Sequence, residues 1–425
     1  MMARKVAIVA ANRIPFARQG TAYAELSNLV MLADTLKGLV ARNRLEGARL
    51  GEVGGGAVMK HSRDWNLVRE ATLASGLDPC TPAYDVQQAC GTGLEATILV
   101  ANKIALGQIE AGIACGVDTT SDAPVAAAPG LQRGLMRLNQ ARGRMARIRA
   151  AAALLRPSHL LPELPRNTEP RTGLSMGQHA QITADRLGIP REAQDALAAA
   201  SHRNLARAYD EGFFEGIVTP YRGLTRDNNL RPDASVEKMA RLAGAFGGSG
   251  SITAANASAL TDGASAVLLA SEGWARARGL PTLATFVTGE TAAVEFVDER
   301  EGLLMAPAYA VPRMLERLGL SLQDFDYYEI HEAFAAVVLA TLKLWESPEF
   351  CRDRLGLDAP LGGIDQSRLN VKGGSLATGH PFAATGGRVV ATLAKTLADH
   401  GGRRGLISVC AAGGQGVVAV LEREA

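Results

Sequence analysis

The sequence lacks a dominant charge: 45 lysines and arginines against 43 aspartates and glutamates leave +2 over 425 residues. No overall field therefore draws the chain to nucleic acid or to a membrane surface, and an electrostatic partner must be sought locally. Long apolar runs are missing too, since nothing approaches the about 18 residues that a bilayer span requires. Val6 to Ala11, behind Arg4 and Lys5, is too short for the apolar segment of a secretion signal and runs into Asn12, Arg13 and Pro15. A soluble, unexported, cytoplasmic protein is expected. Cysteine is scarce: positions 80, 90, 115, 351 and 410 form an odd, widely spaced set that suits neither a disulfide framework nor a paired CxxC metal site. A reducing compartment fits best, where single thiols can stay reactive, and no metal is expected.

What is present is apolar substance: 47% hydrophobic residues, enough for two or three buried domains at this length. Strand-like runs (Lys5 to Ala10, Ile109 to Val117) alternate with amphipathic helical stretches (Leu29 to Leu45, Gly93 to Leu106). That alternation argues for a mainly parallel α/β sheet covered by helices. A weak duplication sharpens the picture. QQACGTG, around Cys90, is followed by a helix, Gly107 and a strand ending IACGVD; GGSLATGHP is followed by a helix over 382–400, Gly401, Gly402 and the strand GLISVCAAGG. Two similar halves would set both glycine-rich turns, each at a helix N-terminus, on comparable sheet edges. The expected organisation is 1–118 plus 251–285 as one half, 119–250 as an inserted loop domain, and 286–425 as the second half.

The insert is irregular and arginine-rich. From Ala123 to Pro162 it holds seven arginines (133, 137, 142, 144, 147, 149 and 156) and no acid. A solvated helix face would usually mix signs. The alternative is a surface for a substrate's phosphates, a partner subunit or anionic lipid.

Four segments place a reactive side chain among small residues: Cys90 in QQACGTG, His331 in EIHEAFAA, His380 in ATGHPFAATG and Cys410 in SVCAAGGQG. Singly, each has a bland explanation, a cysteine as a small buried hydrophobe or a histidine as a hydrogen-bonded structural residue. Two thiols and two imidazoles, each at the end of an apparent strand, can instead converge on one edge of an α/β assembly.

In this order and spacing the four segments resemble the thiolase family. SGSITAANASALTDGA at 249–264 is similar to its pantetheine-loop segment and LSMGQHA at 174–180 to its loop-domain Met-Gly motif, so the resemblance spans nearly the whole chain. HEAF with CAAGG looks most like the bacterial and trifunctional-protein β-subunit branches of fatty-acid β-oxidation. The resemblance implies a duplicated thiolase fold, with two mixed sheets in layered α/β arrangement and an inserted loop domain. It also implies a homodimer, CoA and acyl-CoA as ligands, and no cofactor beyond CoA as substrate. Further partners it implies are a hydratase/dehydrogenase subunit and a peripheral membrane contact through 131–161.

Cleaving a 3-ketoacyl thioester needs a nucleophile that is also a leaving group, and a thiolate is both. By the resemblance, Cys90 is acylated, its thiol acidified by a helix N-terminus. His380 accepts its proton and Cys410 protonates the departing acetyl-CoA carbanion. His380 and His331 stabilise the enolate; the backbone N–H groups of Cys90 and Ala412 hold the tetrahedral oxyanion, provided that Ala412 keeps a negative φ. Many thiolases have asparagine at the place of His331 and glycine at that of Ala412. Met176, Ala254, Ser258, Ala333 and Phe334 would line the pantetheine and acyl channel; for Met176 and Phe334 ordinary core packing is an equal alternative.

Competing readings have specific weaknesses. Gly414 to Ala419 fits a dinucleotide fingerprint, but the chain leaves no room for the helix that must follow. A condensing ketoacyl synthase would not need Cys410. A short-chain acetyl-CoA acetyltransferase shares all four residues and differs only in substrate length and direction. A non-catalytic lipid carrier would not need them filled.

Overall fold

Ten strands carry the fold in the computed structural model, which describes residues 4–154, 161–247, 250–298 and 300–423. They are β1 (Val6–Arg13), β2 (Ala17–Arg18), β3 (Glu52–Gly56), β4 (Ala83–Asp85), β5 (Ala111–Asp118), β6 (Thr261–Ser271), β7 (Ala284–Ala293), β8 (Tyr327–Ile330), β9 (Arg404–Ala411) and β10 (Gln415–Glu422). Their order is β4-β3-β5-β6-β1-β7-β10-β9-β8, with β2 paired to β6. The order mirrors itself about the β1–β7 junction, where Val6 to Ile8 lie opposite Phe286 to Ala284. β1, β6, β5 and β3 on one side answer to β7, β10, β9 and β8 on the other, and only the outer pairs β3·β5 and β8·β9 are parallel in both halves. The duplication read from the two glycine-rich turns is thus a duplication of topology, with the two mixed half-sheets meeting edge to edge.

The expectation of a mainly parallel sheet needs correction. Among the described residues only β3·β4, β3·β5 and β8·β9 pair in parallel, and every other pairing between these strands is antiparallel. Alternating helices and strands suggested crossovers, yet β5 reaches its antiparallel neighbour β6 only after the whole insert, and β9 turns directly into β10. That last hairpin also disposes of the dinucleotide fingerprint, because Gly414 to Ala419 leads into a strand rather than a helix.

Period-two alternation sends adjacent residues of each strand to opposite layers. Ile8, Val267, Ile407 and Val417 face the helices Thr92–Ala105 and Ala384–His400, which share one continuous core. Val9 and Leu268 face the helix Asn28–Arg42, and Val418 and Leu406 face the helix Pro307–Leu318. A core covered on both faces explains why β5 and β6 are buried at every position. The two middle helices touch at their N-terminal ends. A Cβ on Gly93 would strike the carbonyl oxygen of Ala383, and one on Gly386 the backbone nitrogen of Leu94, so only glycine allows this approach.

Between β5 and β6 the chain makes its excursion. Of the acid-free stretch, Pro129–Gln140 and Arg144–Leu154 are helices, while Leu155 and Arg156 lie outside the described residues. The helices Met176–Arg186 and Arg191–Asp210 follow. Among the described residues no helix is long and apolar enough to cross a membrane. The excursion is pinned to β1 by a buried ion pair: Arg13 donates to both oxygens of Asp227 at 2.6 and 2.8 Å, and Asp227 also accepts from the Tyr209 hydroxyl (2.9 Å) and from Phe16 N–H (2.7 Å). Removing one member of such a pair strands a buried charge, so Asp227→Ala should cost about 3–5 kcal/mol in urea unfolding. Tyr209→Phe, which deletes one donor, should cost only about 1 kcal/mol; equal small losses would show that the pair is not an anchor.

Candidate active site

Cys90 stands between β4 and the helix Thr92–Ala105 on a turn that the local sequence forces. Thr92 Oγ1 donates to the Ala89 carbonyl (2.7 Å) and accepts from Gln88 N–H (2.8 Å), closing the turn on itself. Ala89 has φ +46°, a left-handed conformation that is costly for a residue with a Cβ and that turns Cys90 sharply toward the helix start. Gly91 is required because a Cβ there would meet Val417 at 2.7 Å.

His380 reaches the same point from the other half. It lies just ahead of the helix Ala384–His400, after Gly379 at φ +95°, and pairs in a bridge with Leu260. Its Nε2 is 3.0 Å from Cys90 Sγ, and its Nδ1 is 2.6 Å from Thr385 Oγ1. His331 follows β8, its N–H donating to Ser408 O (2.8 Å), and its ring centroid is 4.2 Å from that of His380. Nδ1 of His331 is 2.9 Å from Ser375 Oγ, while its Nε2 is buried without a partner. The N–H groups of Ala412 and of Cys90 itself are directed at the Cys90 sulfur. Ala412 is not among the non-glycine residues with positive φ. Cys410, near the end of β9 and buried, is close enough for the charge of Cys90 to raise its own pKa.

The electrostatics of this cluster correct one expectation. A helix N-terminus does face Cys90, yet burial outweighs it and pushes the thiol up to about 12, with the Ala412 and Cys90 N–H groups opposing and the charge of Asp118 adding. Burial, with Arg388 adding, pushes His380 down to about 3. His331 is pushed well below the usual histidine range, first by burial and then by His380 and Arg388. Both shifts favour a thiol beside a neutral imidazole over a thiolate beside an imidazolium in the resting pair.

The residues expected to line a channel divide. Ala333 and Phe334 are buried with Cys410 in one apolar cluster against which Met176 packs. Ser258 is tied to them, its N–H donating to Ala333 O at 2.9 Å. Ala254 is exposed on the same segment.

Several residues that hold the cluster escaped the sequence reading. Glu332, within HEAF, is fully buried and accepts from Asn370 Nδ2 (2.6 Å), Ser201 Oγ (2.8 Å) and Leu376 N–H (3.1 Å). It binds the His331 turn, the His380 loop and the insert to one carboxylate. Asp118 accepts from Val58, Met59 and Ala383 N–H, joining β5 to the start of the second middle helix. Glu169 accepts from Gly413 N–H at 2.7 Å, and Gln88 donates to Gln415 at 3.1 Å, both steadying the loop of Ala412. An acid inside the apolar run EIHEAFAAVV was the available signal for Glu332; isolated polar residues elsewhere offered none.

Comparison with known proteins agrees with this geometry. The chain matches the family models described as thiolase, N-terminal domain, over residues 6–273 and thiolase, C-terminal domain, over residues 280–423. It is 41% identical to a protein of Aeromonas salmonicida (strain A449) named 3-ketoacyl-CoA thiolase, over 99% of this chain and 97% of that one. A protein of the same name from Pectobacterium atrosepticum is 40% identical over 98% and 96%. The crystal structure of the Bacillus anthracis acetyl-CoA acetyltransferase is similar with TM-score 0.80 and 29% identity, covering 99% of each chain.

A neutral thiol has a measurable consequence. Alkylation of Cys90 by iodoacetamide, followed on its peptide, should keep accelerating above pH 9 instead of levelling near the about 8.5 of a free thiol. A plateau below pH 8 would mean that the resting pair is ionic.

Proposed function

The chain belongs to the thiolase family, and from that premise we propose that it is a 3-ketoacyl-CoA thiolase, cleaving 3-ketoacyl-CoA with CoA to acetyl-CoA and a shortened acyl-CoA. The observation that carries this reading is the 3.0 Å approach of Cys90 Sγ to His380 Nε2, with two backbone N–H groups at the sulfur and the ring of His331 4.2 Å from that of His380.

In this reading Cys90 gives its proton to His380 Nε2 as the sulfur attacks the 3-keto carbon. His380 keeps its other proton on Nδ1, donating to Thr385 Oγ1. The N–H groups of Cys90 and Ala412 receive the tetrahedral oxyanion. As it collapses, the bond between C2 and C3 breaks and the electron pair passes to the acetyl-CoA enolate, whose oxygen accepts from His380 and His331. Cys410 donates the proton to C2; burial pushes its pKa up, which suits a donor to a carbanion. CoA, giving its thiol proton back to Cys410, then attacks the acyl-Cys90 thioester, and the departing Cys90 sulfur takes its own proton back from His380 Nε2, which restores the free enzyme. Met176, Ala333 and Phe334, packed beside Cys410, suit an acyl chain, with Ser258 and Ala254 toward the pantetheine. Medium or long chains and the degradative direction are preferred. Five unpaired thiols suit the reducing cytoplasm, and β4, at the end of the sheet order, offers an edge for a homodimer.

Two measurements test this. Incubation with an acyl-CoA should add one acyl mass to the Cys90 peptide, and thiolysis followed as loss of 3-ketothioester should hold or rise in kcat/KM from four to sixteen carbons. Acylation at Cys410 would reverse the two thiols' roles, and a steady fall with length would make this a short-chain enzyme.

The arginine-rich insert supports a second role. Its helical pair 129–154 exposes Leu135 (49%), Met136 (62%), Met145 (64%) and Ile148 (60%) among exposed arginines. Apolar surface in a field of one sign suits docking to anionic lipid or to a hydratase/dehydrogenase subunit. Replacing Arg142, Arg144, Arg147 and Arg149 with serine should release the protein from anionic liposomes or the partner while short-chain thiolysis survives; unchanged binding with a sharply raised KM for CoA would assign the arginines to the substrate.

A further inference from the structure

His331 has one ring nitrogen engaged and the other open, and neither distance says which carries the proton. The surroundings of Ser375 decide it. Ser375 is fully buried, and its hydroxyl has two described partners: Nδ1 of His331 at 2.9 Å and Nη2 of Arg388 at 3.1 Å. A guanidinium has five donors and no acceptor, so Arg388 can only donate, and Ser375 Oγ must accept from it. The hydroxyl has one proton to give. Among the described residues its one available acceptor is His331 Nδ1.

We propose that Arg388 and Ser375 are positioning residues that hold His331 with Nδ1 accepting and the ring proton on Nε2. The other arrangement, with Nδ1 donating, would leave the serine proton unpaired in a dry site and turn an unprotonated Nε2 toward the reacting centre. An unmade buried hydrogen bond of that kind is costly enough to fix one tautomer. Arg388 is itself placed for this task, 2% exposed, with Glu329 3.8 Å from its Nη1. The open Nε2–H is then a donor prepared in advance for an oxygen that the resting enzyme does not supply. Resting on the thiolase reading above, that oxygen is the enolate oxygen of the departing acetyl-CoA; the tautomer itself does not depend on that reading.

The test reads the tautomer directly, by nitrogen NMR of the full-length enzyme labelled with ¹⁵N-histidine, His331 being assigned by its loss in His331→Asn. The expected spectrum shows a protonated Nε2 and an unprotonated Nδ1, and the reverse overturns the proposal. In Ser375→Ala, or in Arg388→Met, which frees Ser375 to accept from Nδ1, signals of the Nδ1–H form should appear. With them kcat for thiolysis should fall by roughly 10²-fold, as for loss of an oriented oxyanion donor, while KM changes far less. A pure Nε2–H form and unaltered kcat in Ser375→Ala would overturn the positioning role, and this variant with the wild-type spectrum decides the matter if Arg388→Met does not fold. Should the wild type show Nε2–H yet no thiolysis, the positioning stands and the functional reading falls.

Discussion

The structure depends on one close approach, that of two helix N-termini with no side chain between them. Gly93 and Gly386 allow the helices Thr92–Ala105 and Ala384–His400 to meet backbone to backbone. Cys90 and His380 each stand a few residues ahead of one of these helices, so the helix contact sets the distance between sulfur and imidazole. The mirrored sheet order follows from the same arrangement, because two half-sheets sharing one helical layer must join edge to edge at β1 and β7. A methyl group at either glycine would separate the halves and the reacting atoms together.

Deep placement has an electrostatic consequence. Burial moves Cys90, Cys410, His331 and His380 all toward their uncharged forms. The four groups then carry little standing charge themselves and depend on proton transfer at the moment of reaction, between positions that are already fixed. The fixing is done by hydrogen bonds to single acceptors. Glu332, Asp118 and Asp227 each gather donors from two or three separate segments, so that removing one carboxylate would leave several buried N–H or O–H groups unmatched.

The four residues that the structure brings together were legible because thiols and imidazoles among glycine and alanine have few structural uses, and their order along the chain resembled one family. The duplication was legible from two glycine-rich turns at comparable places. What remained hidden had no local signature. Ser375 and Thr385 look like ordinary small residues of helical turns, and Arg388 in GGRVVATLAK reads as a solvated helix position although it is 2% exposed. Only the fold puts Arg388 behind Ser375 and Ser375 behind His331. The mixed sheet was hidden because strand direction depends on where a chain returns after an excursion, which periodicity does not encode. The upward push on the thiol was hidden because a helix start is visible in sequence and the surrounding desolvation is not.

The insert combines a rigid base with an exposed tip. Its base is bound to the active-site frame through ionic and polar links, buried for Asp227 with Arg13 and Ser201 with Glu332 and part-buried for Glu169 with Gly413. Its outer helices 129–154 have almost no buried residues and touch mainly each other, with Leu154 against Gly134. Motion or binding at the tip therefore has a weak mechanical path to Cys90, since the rigid links lie between the tip and the site. A surface used for docking can then carry many unpaired arginines and exposed apolar groups at little cost to the geometry of catalysis, which is the arrangement expected where attachment and chemistry must vary independently.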